Sequence, residues 1–139
     1  MRKFLIATHG TLASGIRNAL QIITGDTDRL TVIDAFAGPE NPADQIQIYF
    51  DKINVQDEVI ILTDLPGGSV NQMLVNYLKR PHTHLVSGVN LSLVLALMLD
   101  PGEMDTGSLI RQAIPEARQQ MLYINEKVEQ MSAELNAFF

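Results

Sequence analysis

The chain has 139 residues, of which 46% are hydrophobic and 19% charged, the proportions of one globular domain rather than of a disordered or fibrous chain. Ten Lys and Arg against 16 Asp and Glu give a formal net charge of -6, the wrong sign for gripping nucleic acid or an anionic bilayer. There is no cysteine, which excludes disulfides, thiolate metal sites and cysteine nucleophiles together.

The Arg2-Lys3 start before Phe4-Leu5-Ile6-Ala7 imitates a signal peptide, but the apolar run stops well short of the ~7–15 residues such a segment needs. No run reaches the ~20 residues of a membrane span, and the expectation is a cytoplasmic protein of one domain covering residues 1–139. Taken in chain order, Phe4-Leu5-Ile6-Ala7 reads as a first strand. Leu12, Ile16, Ala19, Leu20 and Ile23 then repeat with helical spacing up to Gly25, which suits a C-terminal stop. Leu30-Thr31-Val32-Ile33 is a second strand. Asn41-Pro42 fits an N-cap and first helical residue, ahead of a helix carrying Ile46, Tyr49, Phe50 and Ile53. Val59-Ile60-Ile61-Leu62 is a third strand, Val70, Met73, Leu74 and Tyr77 mark a third helix, and His84-Leu85-Val86 is a fourth strand.

These strand runs are continuous rather than alternating, as expected of strands buried on both faces. Strands alternating with helices predict parallel pairing with right-handed crossovers, hence an α/β helix–sheet–helix sandwich, for which a mostly parallel, flavodoxin-like sheet of order 2-1-3-4 is the order adopted. Leu91 to Leu99 reads as a short helix closed by Asp100-Pro101-Gly102. Beyond it, Ile110, Ile114, Ala117, Met121, Ile124, Val128, Met131 and Leu135 step by fours and threes, predicting a long C-terminal helical segment that kinks or restarts near Ile114 because of Pro115. So much apolar surface on a small domain predicts a homodimer that uses this segment.

Ligands of open α/β sheets lie beyond the carboxyl ends of the strands, where the strand order reverses. With order 2-1-3-4 that point lies between the first and third strands, which places His9 beside Asp64. A carboxylate accepting the Nδ1 proton leaves the Nε2 lone pair of an imidazole free to act as nucleophile or base. Gly67-Gly68-Ser69 opens the third helix, and its backbone N–H groups and hydroxyl suit an oxyanion or phosphate; Gly10 and Thr11 are expected to do the same for the first helix. Asp34 reads as a turn residue. His82 and His84 lie at the opposite end of the sheet, and Asp100, Glu103 and Asp105 lack the spacing of a cation loop. No metal site or cofactor is expected. There is no G-x-x-x-x-G-K-[ST] and no G-x-G-x-x-G, hence no visible nucleotide site. Thr8, not arginine, precedes His9, so a phosphoryl group there would be exposed and transferable.

Ile6-Ala7-Thr8-His9-Gly10, Gly38-Pro39-Glu40-Asn41, Leu62-Thr63-Asp64-Leu65-Pro66-Gly67-Gly68-Ser69-Val70-Asn71 and Val86-Ser87-Gly88-Val89-Asn90-Leu91, in that order, resemble the enzyme IIA domain of the mannose class of the bacterial phosphotransferase system. The resemblance implies a phosphohistidine carrier in sugar uptake, with His9 taking a phosphoryl group from the phosphocarrier HPr and passing it to enzyme IIB. It implies that Asp64 orients His9 and that Gly67, Gly68 and Ser69 line the phosphate site. It further implies a homodimer that meets the membrane only indirectly, through its transporter complex. Two alternatives stay open at this point: a phosphoryl donor for dihydroxyacetone kinase, and a noncatalytic regulator binding a phosphorylated metabolite at the same glycines.

Overall fold

The computed structural model describes residues 1–138. Four strands, β1 (Arg2–His9), β2 (Leu30–Ala35), β3 (Glu58–Thr63) and β4 (Thr83–Ser87), form one sheet in the order β2-β1-β3-β4. Every pairing is parallel, with Thr8 opposite Asp34, His9 opposite Ala35 and Ala7 opposite Thr63. The α/β architecture is the one the strand runs predict, and the 2-1-3-4 order is the flavodoxin-like order adopted with it.

Alternation along β1 and β3 builds two cores, because successive side chains point to opposite faces of a strand. Phe4, Ile6, Ile60 and Leu62 meet α1 (Leu12–Thr24), α4 (Leu91–Met98) and α5 (Thr106–Arg118) on one face. Leu5, Ala7, Val59 and Ile61 meet α2 (Pro42–Lys52) and α3 (Ser69–Val75) on the other. The helix boundaries follow local chemistry. Gly25 closes α1 in the left-handed conformation at φ 73, and the Asn41 side chain accepts the Ala43 N–H at the start of α2, with Pro42 at its first position. The periodic residue Tyr77 falls in a 3-10 turn, Asn76–Lys79, that extends α3. Its ring stacks on Phe50 with centroids 4.4 Å apart, tying this turn to α2.

The C-terminal helical segment is present, but its break is displaced. It does not kink or restart near Ile114: it forms two helices, α5 and α6 (Ile124–Phe138), and α5 runs through Pro115 to Arg118. Pro115 removes one hydrogen bond, but Ile110, Ile114 and Ala117 pack on the core and hold the turn around it. The interruption comes later, where the Gln120 N–H turns back to the Ala117 carbonyl at 3.1 Å. From there the apolar seam leaves the core: Met121, Ile124, Val128, Met131 and Leu135 are each more than half exposed. The start of α5 is tied to the sheet by Arg2, which pairs with Asp100 at 2.9 Å and donates to the Met104 carbonyl at 2.8 Å. Among the described residues no helix is long and apolar enough to cross a membrane.

Leu62 is fully buried between β1, the β4 register and the α4 face. Leu62→Ala is expected to cost about 2–5 kcal/mol of stability, through lost transfer energy and a residual cavity, measured as a lower urea midpoint with an unchanged m-value.

Candidate active site

Parallel strands bring all their carboxyl ends to one edge of the sheet, and the site stands there between β1 and β3. His9 is the last residue of β1, and Asp64 follows directly on β3. The Oδ2 oxygen of Asp64 accepts two hydrogen bonds from the same residue, the backbone N–H of His9 at 2.8 Å and its ring Nδ1 at 2.8 Å. The Oδ1 oxygen accepts the Leu65 N–H at 2.9 Å. An ionised carboxylate only accepts, so this contact assigns a proton to Nδ1. The Nε2 atom lies 3.2 Å from the Ser69 hydroxyl, which can donate to the lone pair left there.

Asp64 is mostly buried, its side chain 13% exposed against 45% for His9. Burial pushes its pKa up, but the His9 N–H, the His9 ring and the Leu65 N–H more than offset this and hold the carboxyl below its usual range. It is therefore a charged acceptor at neutral pH.

The loop between β3 and α3 is shaped by its glycines and by Asn71. Gly67 sits at φ 72, its N–H donating to the Asn71 side-chain oxygen at 3.2 Å, while the Asn71 amide donates to the Thr63 hydroxyl at 3.0 Å. Asn71 was not singled out by sequence reasoning; an amide four residues past the first glycine is the signal that marks such a clamp. Gly68 packs close to the imidazole: a Cβ there would lie 3.8 Å from His9 Cε1 and 3.4 Å from the Leu65 carbonyl oxygen. Its N–H is turned back to the Leu65 carbonyl at 3.3 Å. What this loop presents toward Nε2 is the Ser69 hydroxyl at the first position of α3.

The N-terminus of α1 differs from the expectation of a second anion site. The Ala13 N–H donates to the Thr8 hydroxyl at 2.9 Å, the Ser14 N–H to Asp34 Oδ1 at 3.0 Å and the Gly15 N–H to the Thr11 carbonyl. The Gly10 N–H is engaged by the Ala35 carbonyl at 2.8 Å. Gly10, at φ 60, thus supplies the turn out of β1 rather than an open donor. Asp34 is likewise more than a turn residue, since its carboxylate sits on the positive end of α1 and takes the place of a local cap. His82 and His84 lie at the amino end of β4, away from His9, and no metal-binding cluster of His, Asp or Glu exists among the described residues. Sequence reasoning also gave no role to Phe36, whose ring lies 5.6 Å from that of His9, centroid to centroid.

The chain matches the family profile of the PTS system fructose IIA component, EIIA-man, over residues 3–114. No curated protein matches it. Among solved structures it is similar to a candidate phosphoenolpyruvate-dependent sugar phosphotransferase system (PTS) permease from Klebsiella pneumoniae subsp. pneumoniae MGH 78578. The two share 33% identity at a TM-score of 0.86, covering 91% of this chain and 93% of that one. The PTS IIA protein associated with the fucose utilization operon of Streptococcus pneumoniae is 26% identical, with a TM-score of 0.71 over 91% and 96% of the two chains. Phosphotransferase system component EIIA from Streptococcus agalactiae shares the fold, with a TM-score of 0.76 at 23% identity over 91% of this chain and 99% of that one. The profile match spans β1 to α5 and so includes the whole His9, Asp64 and Ser69 constellation, and the chain belongs to the EIIA-man family of sugar phosphotransferase system IIA components.

Proposed function

We propose that the chain is a cytoplasmic phosphohistidine relay, one IIA domain over its whole length, in which His9 accepts a phosphoryl group from HPr and delivers it to a histidine of enzyme IIB. The observation that carries this reading is the single Asp64 oxygen held by both the backbone N–H and the Nδ1 of His9. With Nδ1 committed to Asp64, the Nε2 lone pair attacks the phosphorus of phospho-HPr. A P–Nε2 bond forms, the donor's P–N bond breaks and its electron pair returns to the HPr ring. The proton on Nδ1 stays in place, and the positive character the His9 ring gains lies against the Asp64 carboxylate. The Ser69 hydroxyl, 3.2 Å from Nε2, turns to a phosphoryl oxygen once the lone pair is used. Delivery to enzyme IIB is the same exchange in reverse.

A relay must also let go. Among the described residues no guanidinium or ammonium is hydrogen-bonded to His9, Asp64 or Ser69, so no fixed cation would hold the phosphoryl oxygens in place. The glycine roles are modest in comparison: Gly67 and Gly68 shape the loop and keep it close to the ring, and Gly10 turns the chain out of β1.

Incubation with phosphoenolpyruvate, enzyme I and HPr is expected to add one acid-labile phosphate, visible by mass spectrometry and absent in His9→Ala. Phosphorus NMR is expected to place it on Nε2. Asp64→Asn keeps the size of the side chain but loses a charge-assisted hydrogen bond of about 1.5–3 kcal/mol, so transfer is expected to slow by roughly 10- to 150-fold. Phosphate on Nδ1, or wild-type transfer by Asp64→Asn, overturns the assignment.

The same reading includes a homodimer. Ile124, Val128, Met131 and Leu135 form an exposed apolar stripe on α6. A groove of about 890 Å³ between β4 and α5, lined in part by Ile110, Ile114 and Met121, adjoins the segment that leads into it. A second copy of the chain, contributing its own α6, is the occupant that covers both. Light scattering at micromolar concentration is expected to give twice the 15.4 kDa chain mass. Met131→Glu is expected to return the mass of one chain without lowering the phosphorylation yield.

A further inference from the structure

Phe36 combines two features that neither burial nor backbone preference explains. It follows β2 directly and adopts φ 64, a left-handed conformation that glycine takes freely and phenylalanine disfavours. Its ring is not repaid by burial, since the residue is 55% exposed. The strain is imposed from both sides. The Ala35 carbonyl is engaged by the Gly10 N–H at 2.8 Å, the Asp34 side chain by the Ser14 N–H at 3.0 Å, and the Ala37 N–H returns to the Asp34 carbonyl at 3.4 Å. Strain of this kind persists where the surroundings over-determine it, and it gathers at functional sites. Here the left-handed turn carries the ring to the His9 imidazole, centroids 5.6 Å apart and planes tilted by 32°.

Three neighbours of the imidazole are polar or backbone. Nδ1 faces Asp64, Nε2 faces Ser69 and Cε1 faces Gly68. Phe36 adds an apolar wall with no hydrogen bond to offer. A phosphoramidate is lost to water when a water oxygen bonds to phosphorus. The P–Nε2 bond then breaks, its pair returns to Nε2, and inorganic phosphate leaves with both protons of the water. An apolar ring beside the imidazole denies that water a hydrogen-bonded approach on its side. A protein partner arriving from solvent meets an apolar surface it can pack against.

We infer that Phe36 is a shielding residue, held in its strained turn to lengthen the life of a phosphoryl group on His9 against hydrolysis. This rests on the relay reading above, and the test separates the two. The wild type, Phe36→Gly and Phe36→Leu are loaded with the chemical donor phosphoramidate, which needs no protein docking. The donor is then removed, and the remaining acid-labile phosphate is followed by intact mass at neutral pH.

Phe36→Gly is expected to lose phosphate about 2- to 12-fold faster than wild type, the span that an aromatic contact energy converts to. Its thermal midpoint is expected to be no lower than that of the wild type, because glycine relieves the φ strain. Phe36→Leu, which restores an apolar wall, is expected to recover most of the lifetime. Equal lifetimes for wild type and Phe36→Gly, or a Phe36→Leu chain as labile as Phe36→Gly, overturn the shield. A wild-type chain that takes phosphate from phosphoramidate but none from phospho-HPr overturns the relay, while the three lifetimes alone decide the shield.

Discussion

One carboxylate oxygen sets the state of the site. Asp64 Oδ2 receives the backbone N–H and the ring Nδ1 of His9, so one atom fixes where β1 ends and how its last side chain is turned. This is possible only because β1 and β3 are adjacent and parallel, with Ala7 paired to Thr63. One residue beyond that pair on β3 and two beyond it on β1, the chain brings a carboxylate and an imidazole to the same edge. A strand order that placed another strand between them would add at least one further strand spacing, about 4.8 Å, to their separation. The sheet is thus the instrument that orients the imidazole, and its two cores are what keep the strand register fixed.

Around that contact, the helix termini divide their tasks in a way that helical dipoles alone would not suggest. The N-terminus of α1 is neutralised from within by Asp34 and Thr8, so its positive end is already matched by a carboxylate. The N-terminus of α3 carries no such acid, only the Ser69 hydroxyl pointed at Nε2. The asymmetry leaves a hydroxyl rather than a carboxylate at the end of α3 that faces Nε2.

Much of this is legible in the sequence, for identifiable reasons. Continuous apolar runs reveal doubly covered strands, and with a flavodoxin-like order of 2-1-3-4 those runs place His9 and Asp64 together. Asn41-Pro42 and Gly25 mark helix ends because their chemistry is local. What escapes is what depends on contacts between distant segments. Asp34 looks like a turn residue until its carboxylate is seen on Ser14, twenty residues away in sequence. Gly10 looks like a donor until Ala35 is seen to use its N–H. The φ of Phe36 is unreadable, because nothing in the residue type announces a left-handed turn. Pro115 misleads in the other direction: packing of Ile114 and Ala117 against the core outweighs one lost hydrogen bond, and the helix ends only where that packing stops.

The depressed pKa of Asp64 links the stability of the site to its chemistry. A carboxyl whose folded pKa lies below its unfolded value stabilises the folded state above the unfolded pKa, and that contribution is lost as pH falls through the folded one. The donors responsible are the two His9 groups and the Leu65 N–H, the same contacts that orient the ring. Orientation of the imidazole and stabilisation of the loop are therefore one set of hydrogen bonds, and neither can be weakened alone. Throughout the neutral range Asp64 stays charged. The variable left to the site is what happens at Nε2, where the Ser69 hydroxyl stands 3.2 Å away.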